Sequence, residues 1–282
     1  MSFLNKLKLG SQISLNSLFS LTRLLRDVRL KNSEFIDSVS EQCVLVCNGP
    51  SLQQSLQAQH ALLQGQTLFM MNKAVCYEEF TILKPAYYIL CDNDFFSKQQ
   101  YLYIYELLAQ KVNWPMSLVH PHGMLNKNIR SILQTNSNIK TCANRNTLIE
   151  GWDWLQNFCF KYKLGMPAQY NVLVFALMIA IWARFKKILI IAADHNWHSQ
   201  LHTMADNTVL LCDQHYGEVD KLIPYMLHDD GSSFTMAGVL AFLSATFKSY
   251  EIIQQYATQN DIAIINASLT SSLDAFPRLP TL

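Results

Sequence analysis

Charge is what this 282-residue chain has least of: 15% of its residues are Asp, Glu, Lys or Arg, and the formal net charge is +1. That balance supplies no global field to hold a polyanion, and no Lys/Arg stripe interleaved with aromatics runs through the body of the chain, so nucleic acid is not an expected partner. The seven cysteines at 43, 47, 76, 91, 142, 159 and 212 are odd in number and contain no Cys-x-x-Cys pair. They read as reduced, buried thiols of a cytosolic protein rather than as a zinc site or a disulfide framework. The longest apolar runs, such as Val172 to Ala183, fall short of a bilayer span, and no cleavable signal pattern is present. Walker loop, Gly-x-Ser-x-Gly elbow and His-Glu-x-x-His are all missing, which removes the anchor for P-loop and common hydrolase readings. Apolar side chains are plentiful instead: 50% of residues are hydrophobic, enough for one large core or two modest ones.

Strand candidates recur at Val44 to Cys47, Thr67 to Met71, Ala86 to Cys91, Met116 to Val119, Ile188 to Ala192 and Ile262 to Ile265, with helix candidates at 52–63, 97–111, 172–184 and 236–258. This alternation predicts an α/β fold with a mostly parallel, helix-covered sheet. Ligands of such sheets bind at the carboxyl ends of the strands. Polar residues stand at those ends: Asn48, Asn72, Asp92-Asn93-Asp94 and, after the fifth candidate strand, Asp194-His195-Asn196.

The first of these ends is the most informative. Val44 to Cys47 runs into Asn48-Gly49-Pro50-Ser51, with Gly49 for conformational freedom, Pro50 to stiffen the turn and Ser51 as an N-cap. Free N–H groups and the positive end of the following helix then face an anion, and the stretch reads as a phosphate cradle or as a plain strand-to-helix turn. Asp92-x-Asp94 has the spacing with which transferases hold Mg²⁺ or Mn²⁺ against a sugar diphosphate; no other metal site is expected, and His198 and His202 read as surface residues.

Two segments stand apart. Residues 1–26 contain Lys6, Lys8, Arg23 and Arg26 but no acid, with Leu15, Leu18, Phe19, Leu21, Leu24 and Leu25 at helical spacing. This is an amphipathic helix, lying on an anionic membrane or packed on the core or on a second subunit. Residues 1–41 therefore form an N-terminal segment ahead of a body spanning 42–282. Within that body, residues 195–235 are a polar insertion with the length of a lid or site loop.

Taken together, Asn48-Gly49-Pro50-Ser51-Leu52, Asn72, Asp92 and the stretch Ala180 to Asp194 resemble the bacterial sialyltransferases of glycosyltransferase family 42. They also resemble that family's relatives in surface-polysaccharide clusters and the domain shared by flagellin-glycosylation proteins and archaeal hydroxymethylpterin pyrophosphokinases. Ala193 to Trp197, His215-Tyr216 and Asn266 to Arg278 match segments that recur in this wider group.

The resemblance implies a GT-A-like, modified Rossmann-type sheet. It further implies a cytoplasmic enzyme, some of it at the inner membrane face, that transfers an acidic sugar from a CMP-sugar donor to a glycan acceptor with inversion and without a metal. In that reading Asn48, Gly49, Pro50 and Ser51 hold the donor phosphate, Asn72 the nucleotide, and Asp92 or Asn93 the ribose or sugar. Trp197 and Tyr216 contact phosphate, base or sugar, or pack the loop. The chain departs from the pattern where the family's catalytic histidine would stand, near Leu240, and around Gln169 to Val172. A base must come from elsewhere: His195 with Asp194 beside it, then His228 ahead of Asp229 and Asp230. The alternatives are a metal-dependent UDP-sugar transferase, a pterin diphosphokinase, and a non-catalytic nucleotide-binding assembly protein.

Overall fold

A computed structural model describes residues 3–33, 40–217, 220–224 and 231–279. His228, Asp229 and Asp230 lie outside the described residues, as does part of the 195–235 insertion. In chain order the elements are α1 (Phe3–Arg26), β1 (Gln42–Val46), α2 (Leu52–Ala58), α3 (His60–Leu63), β2 (Thr67–Met71), α4 (Glu79–Leu83), β3 (Tyr87–Ile89), α5 (Asn93–Ser97), α6 (Leu102–Lys111), β4 (Met116–Pro121), α7 (Lys127–Leu133) and β5 (Ile139–Asn144). They continue with α8 (Asp153–Lys161), α9 (Val172–Trp182), β6 (Lys187–Ile191), β7 (Leu201–Thr203), β8 (Val209–Asp213), β9 (Lys221–Pro224), α10 (Met236–Gln259) and β10 (Ala263–Asn266).

Seven strands form one parallel sheet in the order β10-β6-β1-β2-β3-β4-β5. The chain starts at β1, steps outward to β5, then returns to the other side of β1 to lay down β6 and β10. The sheet therefore reverses direction between β1 and β6, where Val44 pairs with Leu189. A Rossmann-like, helix-flanked α/β architecture follows, and all six anticipated strands belong to it.

The period-2 geometry of a strand sorts β1 between two cores. Cys43, Leu45 and Cys47 enter the cluster built on α8, α9 and α10, while Val44 and Val46 enter the one built on α2, α4, α6 and α7. Helix α9 is apolar all round because it is covered all round, every residue from Leu173 to Trp182 being buried. Each such Leu, Ile or Phe contributes roughly 1.5–3 kcal/mol of burial free energy. Helix α10 is long and apolar enough to cross a membrane by length and composition, but Tyr250, Ile253 and Ala257 on one face are packed into the first core.

Several expectations need correction. The anticipated helix 52–63 breaks at Gln59, whose side chain donates to the Ala267 carbonyl at 2.5 Å and so leaves the helical path without a Gly or Pro. The anticipated 97–111 helix begins only at Leu102, because Lys98 is extended and ends α5. The insertion carries a three-stranded antiparallel sheet, β7-β8-β9. Of the seven free cysteines, Cys43, Cys47, Cys142 and Cys159 are buried, but Cys76 is exposed.

Candidate functional site

The loops leaving β1, β2, β3 and β6 converge on a cavity of about 290 Å³, closed on its other sides by the start of α9 and by the insertion. Its wall includes Asn48, Gly49, Pro50, Asn72, Lys73, Asp92, Asp94, Asn171, Asp194, His195, Trp197, Asp213 and His215. It sits at the carboxyl edge beside the reversal between β1 and β6, the position at which open α/β sheets bind ligands. Among the anticipated residues, Ser51, Asn93 and Tyr216 are not part of that wall.

The turn after β1 is built differently from a phosphate cradle. Gly49 N–H donates to the Ala192 carbonyl at 3.0 Å, Leu52 N–H to the Gly49 carbonyl at 3.0 Å, and Ser51 N–H to Asp194 Oδ2 at 3.0 Å. The anion facing this turn is the chain's own carboxylate. Thr270 Oγ1 donates to its other oxygen at 2.6 Å, so Asp194 is held by two partners and buried. Gly49 is required for space rather than for a special backbone angle: a Cβ there would overlap Asp194 Oδ2 and lie 2.6 Å from the Ala192 carbonyl. The expectation of free N–H groups awaiting a donor phosphate is thus corrected, and so is that of Asp194 as a base or as the partner of His195.

The segment after β10 completes this closed flank. Ser268 Oγ accepts from Ala193 N–H at 2.9 Å, Ser271 Oγ donates to the Ala193 carbonyl at 2.5 Å, and Ser272 N–H donates to the Asp194 carbonyl at 2.8 Å. Asn266 Nδ2 donates to the Leu273 carbonyl at 2.9 Å, and Arg278 donates to the Ser268 carbonyl at 2.8 Å. The Asn266-to-Arg278 stretch is therefore a latch on the end of β6.

His195 borders the cavity but is 8% exposed and has left-handed backbone geometry, φ 49°. Tyr250 Oη lies 2.7 Å from His195 Nε2, in a hydrogen bond whose direction is set by the ring's tautomer, and 3.3 Å from Asn171 Oδ1. The ring lies 4.4 Å from that of Trp197 and edge-on to Phe247 and Tyr250. Burial among these aromatics pushes its pKa down to about 3. A general base near neutral pKa was the expectation for His195; desolvation makes it a neutral, weakly basic ring instead.

The opposite flank is open. Asp213 ends β8, and its Oδ1 lies 3.2 Å from His215 Nε2, with the two side chains 27% and 44% exposed. The His215 hydrogen bond, with Lys73 and Lys221 nearby, holds the Asp213 carboxyl below its usual range against the opposing effect of burial. Tyr216 N–H donates to the Asn48 carbonyl at 3.1 Å, which pins this stretch of the insertion to the loop after β1. The Tyr216 hydroxyl donates to Glu79 at 2.6 Å and its ring meets Tyr77 edge-on, so Tyr216 clamps the loop instead of facing a ligand.

Between the flanks stand two amides. Asn48 Nδ2 donates to the Met71 carbonyl at 2.8 Å, which fixes the amide's orientation and leaves Oδ1 buried without a partner. Asn72, at φ 53° directly after β2, accepts the Tyr88 hydroxyl on its backbone carbonyl while its own Oδ1 is also buried and unpaired. An unsatisfied buried acceptor costs about 1–3 kcal/mol, and both of these belong to residues of the cavity wall.

Asp92 caps α5 by accepting Asp94 N–H at 2.9 Å, and Asp94 pairs with Lys98 at 2.5 Å. A cation on this pair would compete with both contacts, and among the described residues no group of three His, Cys, Asp or Glu side chains converges. Asn171, Lys73 and Asp213 are not among the residues that the sequence pattern singles out, and His215 enters only through the His215-Tyr216 match. Asn171 had a legible signal, an Asn immediately ahead of the apolar run Val172 to Ala183, and it caps α9 through Leu173 N–H at 2.8 Å. No protein-family model matches the chain, and no curated protein matches it.

Proposed function

We propose that the cavity is a nucleotide-sugar site and that the chain is a glycosyltransferase of bacterial surface-glycan assembly, using a CMP-linked acidic sugar on a GT-A-like framework. The observation that carries this reading is the pair of buried, unpaired amide oxygens of Asn48 and Asn72 in a cavity at the sheet reversal. Ribose hydroxyls and the exocyclic amine of cytosine are the donors such oxygens need. Lys73 is the lysine of the wall and supplies positive charge for the donor phosphate in place of the turn after β1.

In this reading the base is His215. Its imidazole takes the acceptor hydroxyl's proton as the new C–O bond forms and the bond from the anomeric carbon to the phosphate oxygen breaks. CMP departs with the electron pair, and Asp213 stabilises the imidazolium. Attack opposite the leaving phosphate inverts the anomeric centre. A second reading, a UDP-sugar transferase with Mg²⁺ or Mn²⁺ on Asp92 and Asp94, has in its favour that both carboxylates border the cavity.

A thermal-shift series with CMP, UDP, GDP and ATP, each with and without Mg²⁺, separates these readings. The largest stabilisation is expected from CMP without metal, and its loss in Asn72→Ala ties it to the cavity. Stabilisation by UDP only with Mg²⁺ favours the second reading, and stabilisation by ATP only with Mg²⁺ overturns both.

A further inference from the structure

Helix α1 is docked the wrong way round for a soluble protein. Its small polar residues face the body: Ser17 and Ser20 are fully buried, while Leu15, Leu18, Phe19, Leu21 and Leu25 are exposed, Leu25 by 74%. At 3.6 residues per turn those five side chains cover an arc of roughly 160° on the outer surface. The docking is specific. Ser17 Oγ accepts Trp152 N–H at 2.8 Å, and Ser20 Oγ donates to the Glu150 carbonyl at 3.0 Å while accepting Glu150 N–H at 2.8 Å. Gly151 lets the two backbones touch, since a Cβ there would lie 2.5 Å from Ser17 N. Reversing the helix would leave these groups unpaired, so the leucine face is held outward.

The bonds to Ser17 and Ser20 place the middle of α1 beside the start of α8, and α8 carries a second apolar stripe. Trp154, Phe158 and Tyr162, four residues apart and so on one side of the helix, are 62%, 50% and 56% exposed. Trp152, whose N–H is held by Ser17, stacks on Trp154 with ring centroids 5.6 Å apart. Lys161 Nζ lies 5.7 Å from the Tyr162 ring centroid.

We infer that α1 and the aromatic stripe of α8 form one docking face for an anionic lipid bilayer, a property separate from the transfer chemistry proposed for the cavity. Three observations select lipid over a second copy of the chain. The exposed arc is far wider than the narrow seam two packed helices share, and it suits a helix lying in an interface. Trp and Tyr, apolar rings with a polar handle, are the side chains that settle at the headgroup level. Residues 1–26 carry Lys6, Lys8, Arg23 and Arg26 and no acid; Arg23 and Arg26 pair with Glu150 and Asp27, so it is the charge of the two lysines that matches a negative surface.

The test uses the full chain and vesicles of phosphatidylcholine alone or with 30 mol% phosphatidylglycerol. Expected is co-sedimentation with the anionic vesicles, weakened by salt, with a blue shift of tryptophan emission and quenching by brominated lipid. The double variant Leu18→Ser/Leu25→Ser should lower partitioning at least tenfold with its melting temperature unchanged. Absence of both sedimentation and quenching in the unaltered chain overturns the inference. So does a concentration-dependent dimer, dissociated by the double variant, that ignores vesicles. Should the double variant fail to fold, Trp154→Ala decides: quenching that persists undiminished in it removes α8 from the face and overturns the inference as stated.

Discussion

His195 and His215 border one cavity twenty residues apart, and almost everything around them differs. The flank of His195 is closed on itself: Asp194 is taken by Ser51 N–H and Thr270, the end of β6 by the latch after β10, and the imidazole by the Tyr250 hydroxyl and the rings of Trp197, Phe247 and Tyr250. The flank of His215 is open, half-exposed and already paired with a carboxylate. Both flanks stand near a strand end, but only the open one keeps its imidazole half-exposed beside a carboxylate, while that of His195 is buried. A site is thus defined by what its groups have left over after folding.

The strongest way to break this comparison is to remove each imidazole in turn. His215→Gln should lower the rate of CMP release from CMP-N-acetylneuraminic acid or CMP-Kdo by about 10²–10⁴-fold, the usual contribution of a positioned general base. His195→Asn, which tolerates the left-handed backbone, should stay within about tenfold. Equal losses in the two variants would show that the flanks do not divide the work as proposed.

Next in size is Gly49→Ala. The obstructing atoms are a backbone carbonyl and a carboxylate held from two sides, neither the far end of a flexible chain. The cost should reach about 3 kcal/mol, the upper end for overpacking, read as a fall in the urea midpoint. Adding Asp194→Ala removes one of the two obstructions and should not recover more than part of the loss. A silent Gly49→Ala would show that the turn is looser than its hydrogen bonds imply.

These two variants also mark where sequence reasoning reaches and where it stops. Strands β1, β2, β3, β4 and β6 were legible because each is a short apolar run buried on both faces, and the edge strand β10 because Ile262 to Ile265 is still an apolar run. Strand β5 was not: Lys140 and Thr141 are exposed at the sheet edge, so Ile139 to Asn144 carries no apolar run. Helix α8 hid for a related reason, since its aromatic stripe faces outward beside Asp153, Asn157 and Lys161, so apolar side chains do not mark one buried side. At the site, Asn48, Asn72, Asp92, Asp194 and His195 were correctly assigned to strand ends that meet at one cavity. Their roles were not legible, because those depend on contacts made across the sheet reversal: a carboxylate from residue 194 at the N–H of residue 51, and a tyrosine from residue 250 at an imidazole. Asp213 escaped notice for the converse reason, and His215 stood out only as half of the His215-Tyr216 match. Asp213 ends a strand set in a polar insertion, and the Tyr216-to-Asn48 bond helps to bring the stretch that follows it to the cavity.

The pH dependence of stability sharpens the contrast at intermediate size. His195 titrates at about 3 in the folded chain against an ordinary value of 6.5, so the unfolded chain binds its proton more readily. Stability from this residue is fully present above about pH 6.5 and falls by about 1.4 kcal/mol per unit below it, about 2 kcal/mol by pH 5. His195→Asn should flatten that limb in chemical denaturation between pH 7 and 5. It should not abolish it, because burial holds His120 down at about 4 with the same sign. An unchanged limb in the variant would mean that His195 is solvated and belongs with His215.

The smallest expected effect isolates the closed flank from the chemistry. Thr270→Val keeps the shape of the side chain and removes the 2.6 Å hydrogen bond to Asp194 Oδ1. Bonds to a buried carboxylate contribute about 1.5–3 kcal/mol, but Thr270 itself is exposed, and water can reach the vacated position from its side. The loss of stability should therefore be about 1 kcal/mol. Asp194 would still hold Ser51 N–H, Gly49 would still hold Ala192, and the bond between Asp213 and His215 does not involve Thr270. The rate of CMP release and its pH profile should stay as they are. A fall of tenfold or more, or a displaced acid limb in the rate, would place Asp194 among the groups that act on substrate, and the division between a flank that holds the fold and a flank that acts on the ligand would have to be redrawn.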